Sequence, residues 1–358
     1  MNRRRIHRFC VGLMLLAALT RLAAQVELCL ATRQPSSPAL WRVDLEPTLP
    51  ETASLSAAPA DTRTAAFSAA PADRLSLAER AEAEAAPKKA DAASKEEAPP
   101  EAAALFFAAE EADAIEIAGQ CSYAVDRQAL LLQPSALDFS GEGPKVLIVH
   151  THASEAYSPE DGLSYVASDP LRTEDPSRSV IRLGSEIARI LNEGGLETLH
   201  DTTLNDYPSY DGAYARMQTI IEGYLTKYPS IQMVIDVHRD AFEDADGNPA
   251  ALTASVGGEE CARLMLVVGT DEGGLTHPNW QENLANALKL QALLNRAAPG
   301  LCRPLDLRTE RFNQHETPGS MLCEFGASGN TLTQALCTSR IFARALLALA
   351  AGLGAENS

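Results

Sequence analysis

The chain has 358 residues, with 30 Lys and Arg against 48 Asp and Glu and a formal charge of −18. This charge argues against nucleic acid as a partner, because binding to phosphate backbones needs clustered basic residues, and these occur only at the first eight positions. Hydrophobic residues make up 46% of the chain and aromatic residues only 5%. Alanine fills the difference, so the part that folds is shorter than the whole and amounts to one or two domains.

Residues 1–31 predict where the protein is found. Basic residues at the start are followed by an apolar run over 9–19, the order typical of signal peptides and N-terminal membrane anchors. Arg21 interrupts the run, which is shorter than the roughly 20 residues of a spanning helix, although residues 26–31 could extend it. A cleaved signal and a retained anchor are both open. Either one exports the chain, so we expect it outside the cytoplasm, at the cytoplasmic membrane.

Residues 32–113 are rich in Ala, Pro and Glu and have few large apolar side chains. Such a segment buries too little apolar surface to offset the entropy lost on ordering. We therefore predict a disordered linker that separates the membrane segment from a folded domain.

From residue 114 to residue 358, short apolar runs alternate with amphipathic segments. The apolar runs predict strands at 145–150, 196–200, 232–238, 264–269 and 321–325. Helical spacing predicts helices at 179–192, 214–228 and 333–351, and another that Asn279 caps and Pro299 ends. Continuous apolar strands between helices are typical of α/β folds. We predict a single α/β domain with a largely parallel sheet, covered by helices on both faces.

The seven cysteines show no regular spacing and no CxxC pair. They indicate neither a disulfide framework nor a cysteine zinc site. For an exported chain, the odd and scattered set favours buried thiols, and one bridge among them stays open.

Candidate metal ligands follow two of the predicted strands. His152 and Glu155 form an H-x-x-E pair directly after the strand at 145–150, and His238 ends the strand at 232–238. Ligands of α/β proteins gather at the carboxyl ends of strands, and two histidines with one glutamate leave a fourth position of zinc open for water. The pattern predicts a catalytic Zn²⁺ site. His150 is the rival to Glu155 as third ligand and is otherwise expected beside the metal ligands or facing the substrate.

Glu324 is an ionisable residue at the end of an otherwise apolar strand, where a carboxylate without a role would be costly. We predict that it is the base acting on water, which fits amide hydrolysis. Asp236 and Asp240 flank His238 and are expected to orient it. Arg239 and His315 complete the candidate set, as residues that contact the substrate or support the metal ligands.

The sequence resembles the stage II sporulation protein P family of N-acetylmuramoyl-L-alanine amidase-like zinc hydrolases from endospore-forming bacteria. Six blocks in one order carry the resemblance: VLIVHTHASEAY (146–157), DPSRSVIRLG (175–184), HDTTLNDYPSYDGAYAR (200–216), VIDVHRDA (234–241), HPNWQENLANALKLQ (277–291) and RFNQHETPGSMLCEFGASGN (311–330). The family's catalytic positions fall on His152, His238 and Glu324. Glu155 rests on the spacing argument alone.

The resemblance implies cleavage of the peptidoglycan amide between N-acetylmuramic acid and L-alanine, together with cleavage of peptide cross-links. It also implies anchoring in the mother-cell membrane and action during engulfment with stage II sporulation proteins D and M. Two other functions stay open at this point. One is a wall-binding scaffold that has lost turnover, and the other is a zinc carboxypeptidase that acts only on stem peptides.

Overall fold

The computed structural model describes residues 107–160 and 171–356. The membrane segment expected at 1–31, and the expected linker as far as residue 106, lie outside the described residues. Helix α1, Ala109–Asp113, falls in the last part of the range 32–113 expected to be linker, and it buries Ala112 in the core. The fold therefore starts a few residues before 114, because an alanine-rich segment can bury its small side chains where a neighbouring helix covers them.

A seven-stranded sheet forms the centre of the domain. Its strands are β1 (Ile117–Gly119), β2 (Val146–Val149), β3 (Thr198–His200), β4 (Met233–Asp240), β7 (Leu264–Gly269), β8 (Leu305–Arg308) and β9 (Met321–Ala327). Across the sheet the order is β1-β8-β7-β9-β4-β2-β3, and every neighbouring pair is parallel except β7 with β9. A separate antiparallel hairpin is made of β5 (Thr253–Val256) and β6 (Glu259–Ala262). The prediction of an α/β fold with a largely parallel sheet is confirmed.

Helices lie on both faces of the sheet, in unequal amounts. The remaining helices are α2 (Arg127–Leu132), α3 (Val180–Glu193), α4 (Ala213–Lys227), α5 (Trp280–Ala297) and α6 (Leu332–Glu356). Side chains of α3, α5 and α6 pack in the main core, against one face of the strands. On the other face, α4 places Met217 and Ile221 in a smaller cluster with Leu147, Val149 and Val234.

Several short elements were not predicted from the sequence. β1 has only three residues, and β8 (LDLR) alternates apolar with charged side chains, so neither has the continuous apolar run of a central strand. The hairpin β5–β6 is largely exposed. Asn279 precedes α5 as predicted, but its side chain makes no cap hydrogen bond; Asn279 Nδ2 donates instead to His315 O at 2.9 Å.

Helix α6 is the one described helix that is long and apolar enough to cross a membrane, over Leu332–Leu353. However, 67% of that window is buried inside the domain. Its side chains Phe342, Leu346 and Leu349 are fully buried in the main core. The apolar character of α6 is explained by this packing.

A disulfide joins Cys261 of β6 to Cys337 of α6. Among the described residues, Cys121, Cys302 and Cys323 are free thiols. Within residues 107–160 and 171–356 the cysteines thus form one bridge.

The sheet order brings the predicted site residues to one edge. β2, β4 and β9 are neighbours and run parallel, so their carboxyl ends lie side by side. His238 and Glu324 are direct register partners on β4 and β9. His152 and Glu155 follow β2 at the same edge. Only β4 lies between β2 and β9, the strand that carries Glu324.

Candidate metal centre

His152, Glu155 and His238 converge at this edge. Glu155 Oε1 lies 3.3 Å from His152 Nδ1, and Glu155 Oε2 lies 3.4 Å from His238 Nδ1. One ligand atom from each residue lies within 4.8 Å of the other two, and each residue is at most 8% exposed. Burial raises the pKa of Glu155, but the charge of His238 and the contacts with both histidines hold that pKa well below its usual range. The carboxylate is therefore ionised and available as a ligand.

The three residues fit a zinc ion by chemistry and by spacing. Two imidazoles and a carboxylate are typical zinc donors. Adjacent ligand atoms around tetrahedral zinc lie about 3.4 Å apart when the bonds are about 2.0–2.1 Å long. The separations of 3.3 Å from Glu155 Oε1 to His152 and 3.4 Å from Glu155 Oε2 to His238 are each close to this edge length, with one carboxylate oxygen facing each imidazole. The rings of His152 and His238 are 5.0 Å apart and nearly perpendicular, so that both nitrogens can point to one ion.

Asp236 supports His238 from the side away from Glu155. Asp236 Oδ1 lies 2.9 Å from His238 Nε2, a charge contact whose angle is not that of a hydrogen bond. The carboxylate of Asp236 accepts hydrogen bonds from Thr151 N at 2.8 Å and Thr151 Oγ1 at 2.6 Å. Burial lowers the pKa of His238, but Asp236 and Glu155 outweigh this and raise it well above its usual value. Asp236 therefore lies where a carboxylate orients a metal-binding imidazole.

Glu324 faces the same site from β9 without binding a partner. The residue is partly exposed, yet its Oε2 is buried and has no hydrogen-bond partner among the described residues. Burial raises the pKa of Glu324 to about 8, with Glu155 and Asp240 acting in the same direction against His238 and Arg239. A carboxylate of raised pKa beside a metal site is a stronger base than usual.

Arg239 and Asp240 behave differently from each other. Arg239 N donates to Glu155 Oε2 at 3.1 Å, and its buried guanidinium donates to Ala156 O and Leu171 O. Arg239 thus holds the loop that carries Glu155, and its guanidinium does not face the site. Asp240 binds Arg303 at 2.7 Å, and His238 takes its carboxylate contacts from Asp236 and Glu155 instead.

His150 points away from the three candidate ligands. Its Nδ1 lies 3.0 Å from Val237 O and its Nε2 lies 2.8 Å from His200 Nε2, in the buried layer beneath α3. Burial, and next the neighbouring His200, lower the pKa of His150 to about 3. Both ring nitrogens are occupied, so Glu155 and not His150 is placed to be the third ligand.

His315 also lies away from the three candidate ligands. It belongs to a short 3₁₀ helix, Gln314–Glu316, where its Nε2 contacts Glu316 Oε1 at 3.0 Å and its ring stands 6.4 Å from His277. The described contacts of His315 do not include His152, Glu155 or His238. The expected substrate contact of His315 stays a prediction.

The structure adds side chains that the sequence reasoning did not place in the site. Tyr210 stacks on His152 with 4.5 Å between ring centroids, and Tyr214 meets the same ring edge-on at 5.5 Å. Arg172 Nη2 lies 3.8 Å from Glu155 Oε1, while Arg172 Nη1 binds Asp206 Oδ2 at 2.6 Å. These residues come from loops and a helix start, where no strand pattern marks them. The signal for Tyr210 and Tyr214 is the density of aromatic and charged residues over 200–216, and Arg172 has no comparable signal.

Solved amidase structures resemble the chain weakly. An N-acetylmuramyl-L-alanine amidase of Mycobacterium smegmatis aligns with 14% identity and a TM-score of 0.35, over 59% of this chain and 97% of that one. The CwlD amidase of Clostridioides difficile, solved with the GerS lipoprotein, aligns with 14% identity and a TM-score of 0.34, over 60% and 97%.

Sequence comparison gives a clearer result. Stage II sporulation protein P of Bacillus subtilis (strain 168) is 26% identical over 206 residues, which are 54% of this chain and 48% of that protein. The chain thus spans about half the length of the curated relative it matches. The sequence model of the stage II sporulation protein P family matches residues 52–347, most of the chain. The chain belongs to the stage II sporulation protein P family.

Proposed function

We propose that residues 114–358 form a peptidoglycan hydrolase that cleaves the amide between N-acetylmuramic acid and L-alanine. One observation carries the proposal. The ligand atoms of His152, Glu155 and His238 lie within 4.8 Å of one another, and Glu324, the register partner of His238, has a buried Oε2 without a hydrogen-bond partner among the described residues. Three ligands leave one position open, which distinguishes catalytic from structural zinc sites. Family membership supports the choice of peptidoglycan as the substrate.

His152, Glu155 and His238 would hold the zinc ion. Zinc bound there supplies Lewis-acid activation of water and polarises the scissile carbonyl. Asp236 keeps the His238 ring turned so that Nδ1 faces Glu155. Arg239 fixes the position of the Glu155 carboxylate through its backbone N–H. The tyrosine rings of Tyr210 and Tyr214 pack against His152 and limit its motion.

Glu324 performs the proton transfers. Its Oε2 accepts a proton from water as the water oxygen bonds to the carbonyl carbon. When the C–N bond breaks, the same oxygen returns the proton to the departing amine of L-alanine. The products are the carboxylic acid of muramic acid and a stem peptide with a free amino group. A pKa of about 8 makes both transfers accessible near neutral pH.

The rest of the chain suggests how the enzyme reaches its substrate. In this proposal, residues 1–31 export the chain, whether they are then cleaved or retained, and the part of 32–113 that precedes helix α1 forms the linker to the cell wall. The domain then acts outside the cytoplasm at the mother-cell membrane during engulfment. Stage II sporulation proteins D and M are the proposed partners, and peptide cross-links are a second proposed substrate.

Digestion of purified peptidoglycan by the full-length chain tests the proposal. We expect mass spectrometry to detect stem peptides that begin with an unblocked L-alanine, lost on chelation and restored by zinc. Cleaved cross-links in the same digest would add the endopeptidase activity. Release of C-terminal amino acids alone would favour the carboxypeptidase. Wall binding without any release, even with proteins D and M added, would contradict the proposal and favour a scaffold.

A further inference from the structure

Arg263, between β6 and β7, is a cation without an acidic partner among the described residues. It makes a single hydrogen bond there, from Nη2 to Cys302 O at 2.9 Å. Its Nε is buried and has no acceptor. A guanidinium carries five N–H donors, and leaving a buried one unsatisfied is costly. The position therefore calls for an acceptor that the described chain does not supply.

The charges around Arg263 increase this need. Arg303 is its charged neighbour, and burial together with the charge of Arg303 lowers the pKa of Arg263. The carboxylate of Asp240 is bound to Arg303 at 2.7 Å, and that of Asp306 is shared with Arg308. These carboxylates are already committed to other arginines. One positive charge thus stays without a carboxylate, in a chain whose formal charge is −18.

Arg263 also lies close to the candidate metal centre. Its carbonyl accepts a hydrogen bond from Gly326 N at 2.9 Å, two residues beyond Glu324 on the neighbouring strand. Met265 of β7 is the register partner of Glu324. With strands about 4.8 Å apart and about 3.3 Å per residue, the Cα atoms of Arg263 and Glu324 are about 8 Å apart. This separation corresponds to two or three residues of an extended peptide.

We propose that Arg263 binds a carboxylate of the peptidoglycan stem peptide, two or three residues from the bond that is cleaved. The inference rests on the proposed function, which supplies the peptide. Stem peptides carry free carboxylates on acidic residues after L-alanine, and a planar guanidinium binds a carboxylate through two parallel hydrogen bonds. Arg303 remains bound to Asp240, so Arg263 is the group that distinguishes an acid from its amide.

Calorimetric binding of the released stem peptide to the full-length, zinc-loaded chain tests this site. The peptide is the product of the proposed reaction, so its binding does not depend on turnover. We compare the free acid with the same peptide whose side carboxylates are amidated. The wild-type chain should bind the acid about 10- to 100-fold more tightly, the range for a charged hydrogen-bonded pair. Equal dissociation constants for acid and amide would overturn the proposal without any variant.

Variants then test whether Arg263 causes the preference for the free acid over the amidated peptide. Arg263→Met should remove it, so that acid and amide bind equally, while Arg263→Lys should keep part of it through the charge. Arg189→Met is the control, because the side chain of Arg189 is 50% exposed on α3 and its ion pairs are with Glu186 and Glu193, outside the site. It should leave the preference unchanged. A preference that persists in Arg263→Met would contradict the assignment to Arg263. Binding of the acid with no hydrolysis of peptidoglycan would instead count against the proposed function alone.

Discussion

The carboxylate of Glu155 lies between the imidazoles of His152 and His238. Side-chain direction is what distinguishes His150 from these two histidines. His150 and His152 are two residues apart, yet His150 is turned into the core against His200. His152 is turned toward Glu155. The turn after β2 thus separates a packing histidine from a candidate ligand.

Alanine substitutions of Glu155 and His150 should affect different properties, zinc affinity in the first case and stability in the second. Glu155→Ala should lower the affinity for zinc by removing a ligand, with the fold retained. His150→Ala should keep one zinc per chain but lower the melting temperature, because it opens a cavity and unpairs His200, a loss of about 2 kcal/mol. Zinc titration followed by thermal melting separates the two effects. Loss of zinc in folded His150→Ala would show that the ligand assignment is wrong.

Asp236 provides a second prediction at this scale. Asp236→Asn keeps the shape but removes the charge next to His238 Nε2, so the affinity for zinc should fall by about 10- to 100-fold. The matched control is Asp246→Asn, at an exposed position in the loop after β4. Competition with a chelator of known affinity measures both variants. An unchanged affinity for zinc in Asp236→Asn would mean that Asp236 accepts hydrogen bonds from Thr151 but does not orient His238.

Among the elements, α3 carries a glycine that its neighbours require. A Cβ at Gly184 would lie 2.5 Å from His200 Nε2 and 2.6 Å from His150 Nε2. Real Cβ atoms do not approach so closely, so the histidine pair would have to move. Gly223 in the middle of α4 has no neighbour within 4 Å of the same position.

The two glycines therefore predict opposite signs for one substitution. Gly184→Ala should destabilise the domain by about 1–3 kcal/mol through overpacking. Gly223→Ala should stabilise it by about 0.5–1 kcal/mol, because alanine favours a helix interior over glycine. Urea unfolding of both variants checks the pair. A stabilised Gly184→Ala would contradict the packing of α3 against the two histidines.

Glu186 of α3 binds Arg340 of α6, and its ionisation should make the stability of the domain depend on pH. Burial raises its pKa, but hydrogen bonds from Arg189 and Arg340 outweigh this and lower the pKa to about 2. A depressed carboxyl pKa stabilises the fold above the unfolded value of about 4.3, and this contribution is lost as the pH falls toward 2. Glu186→Gln should thus cost stability at pH 6 and little at pH 2.

Unfolding by urea at several pH values measures this difference. Glu193→Gln is the control, since the side chain of Glu193 is 64% exposed and its contribution is screened by solvent. A difference between wild type and Glu186→Gln that does not shrink as the pH falls would contradict the ion-pair account.

The elements also show how far the sequence predicts the fold. Strands β2, β4, β7 and β9 are continuous apolar runs buried on both sides, and the sequence predicts each of them. β8 was not predicted from the sequence, because Asp306 and Arg308 alternate with its apolar residues, which lie on one face only. β7 pairs antiparallel with β9. The hydrophobic pattern of a strand does not determine its direction in the sheet, so this pairing could not be predicted from the sequence.

For the molecule as a whole, the sequence predicted which residues meet but not what surrounds them. His152, Glu155, His238 and Glu324 all follow or end buried strands, and parallel pairing at one edge brings them together. Tyr210 and Arg172 reach the same place from loops that are distant in sequence and have no periodicity. That Arg263 has no acidic partner in the part of the chain that the structure describes depends on the tertiary structure alone.

The central claim is that three residues hold zinc while Glu324 only transfers protons. The most direct measurement is the zinc content of Glu324→Gln together with mass spectrometry of its peptidoglycan digest. We predict one zinc per chain, as in the wild type, and a loss of released stem peptides of at least about 100-fold, since general acid and base transfer contribute this much. Loss of zinc from the folded variant, or stem-peptide release at the wild-type rate, would contradict the account.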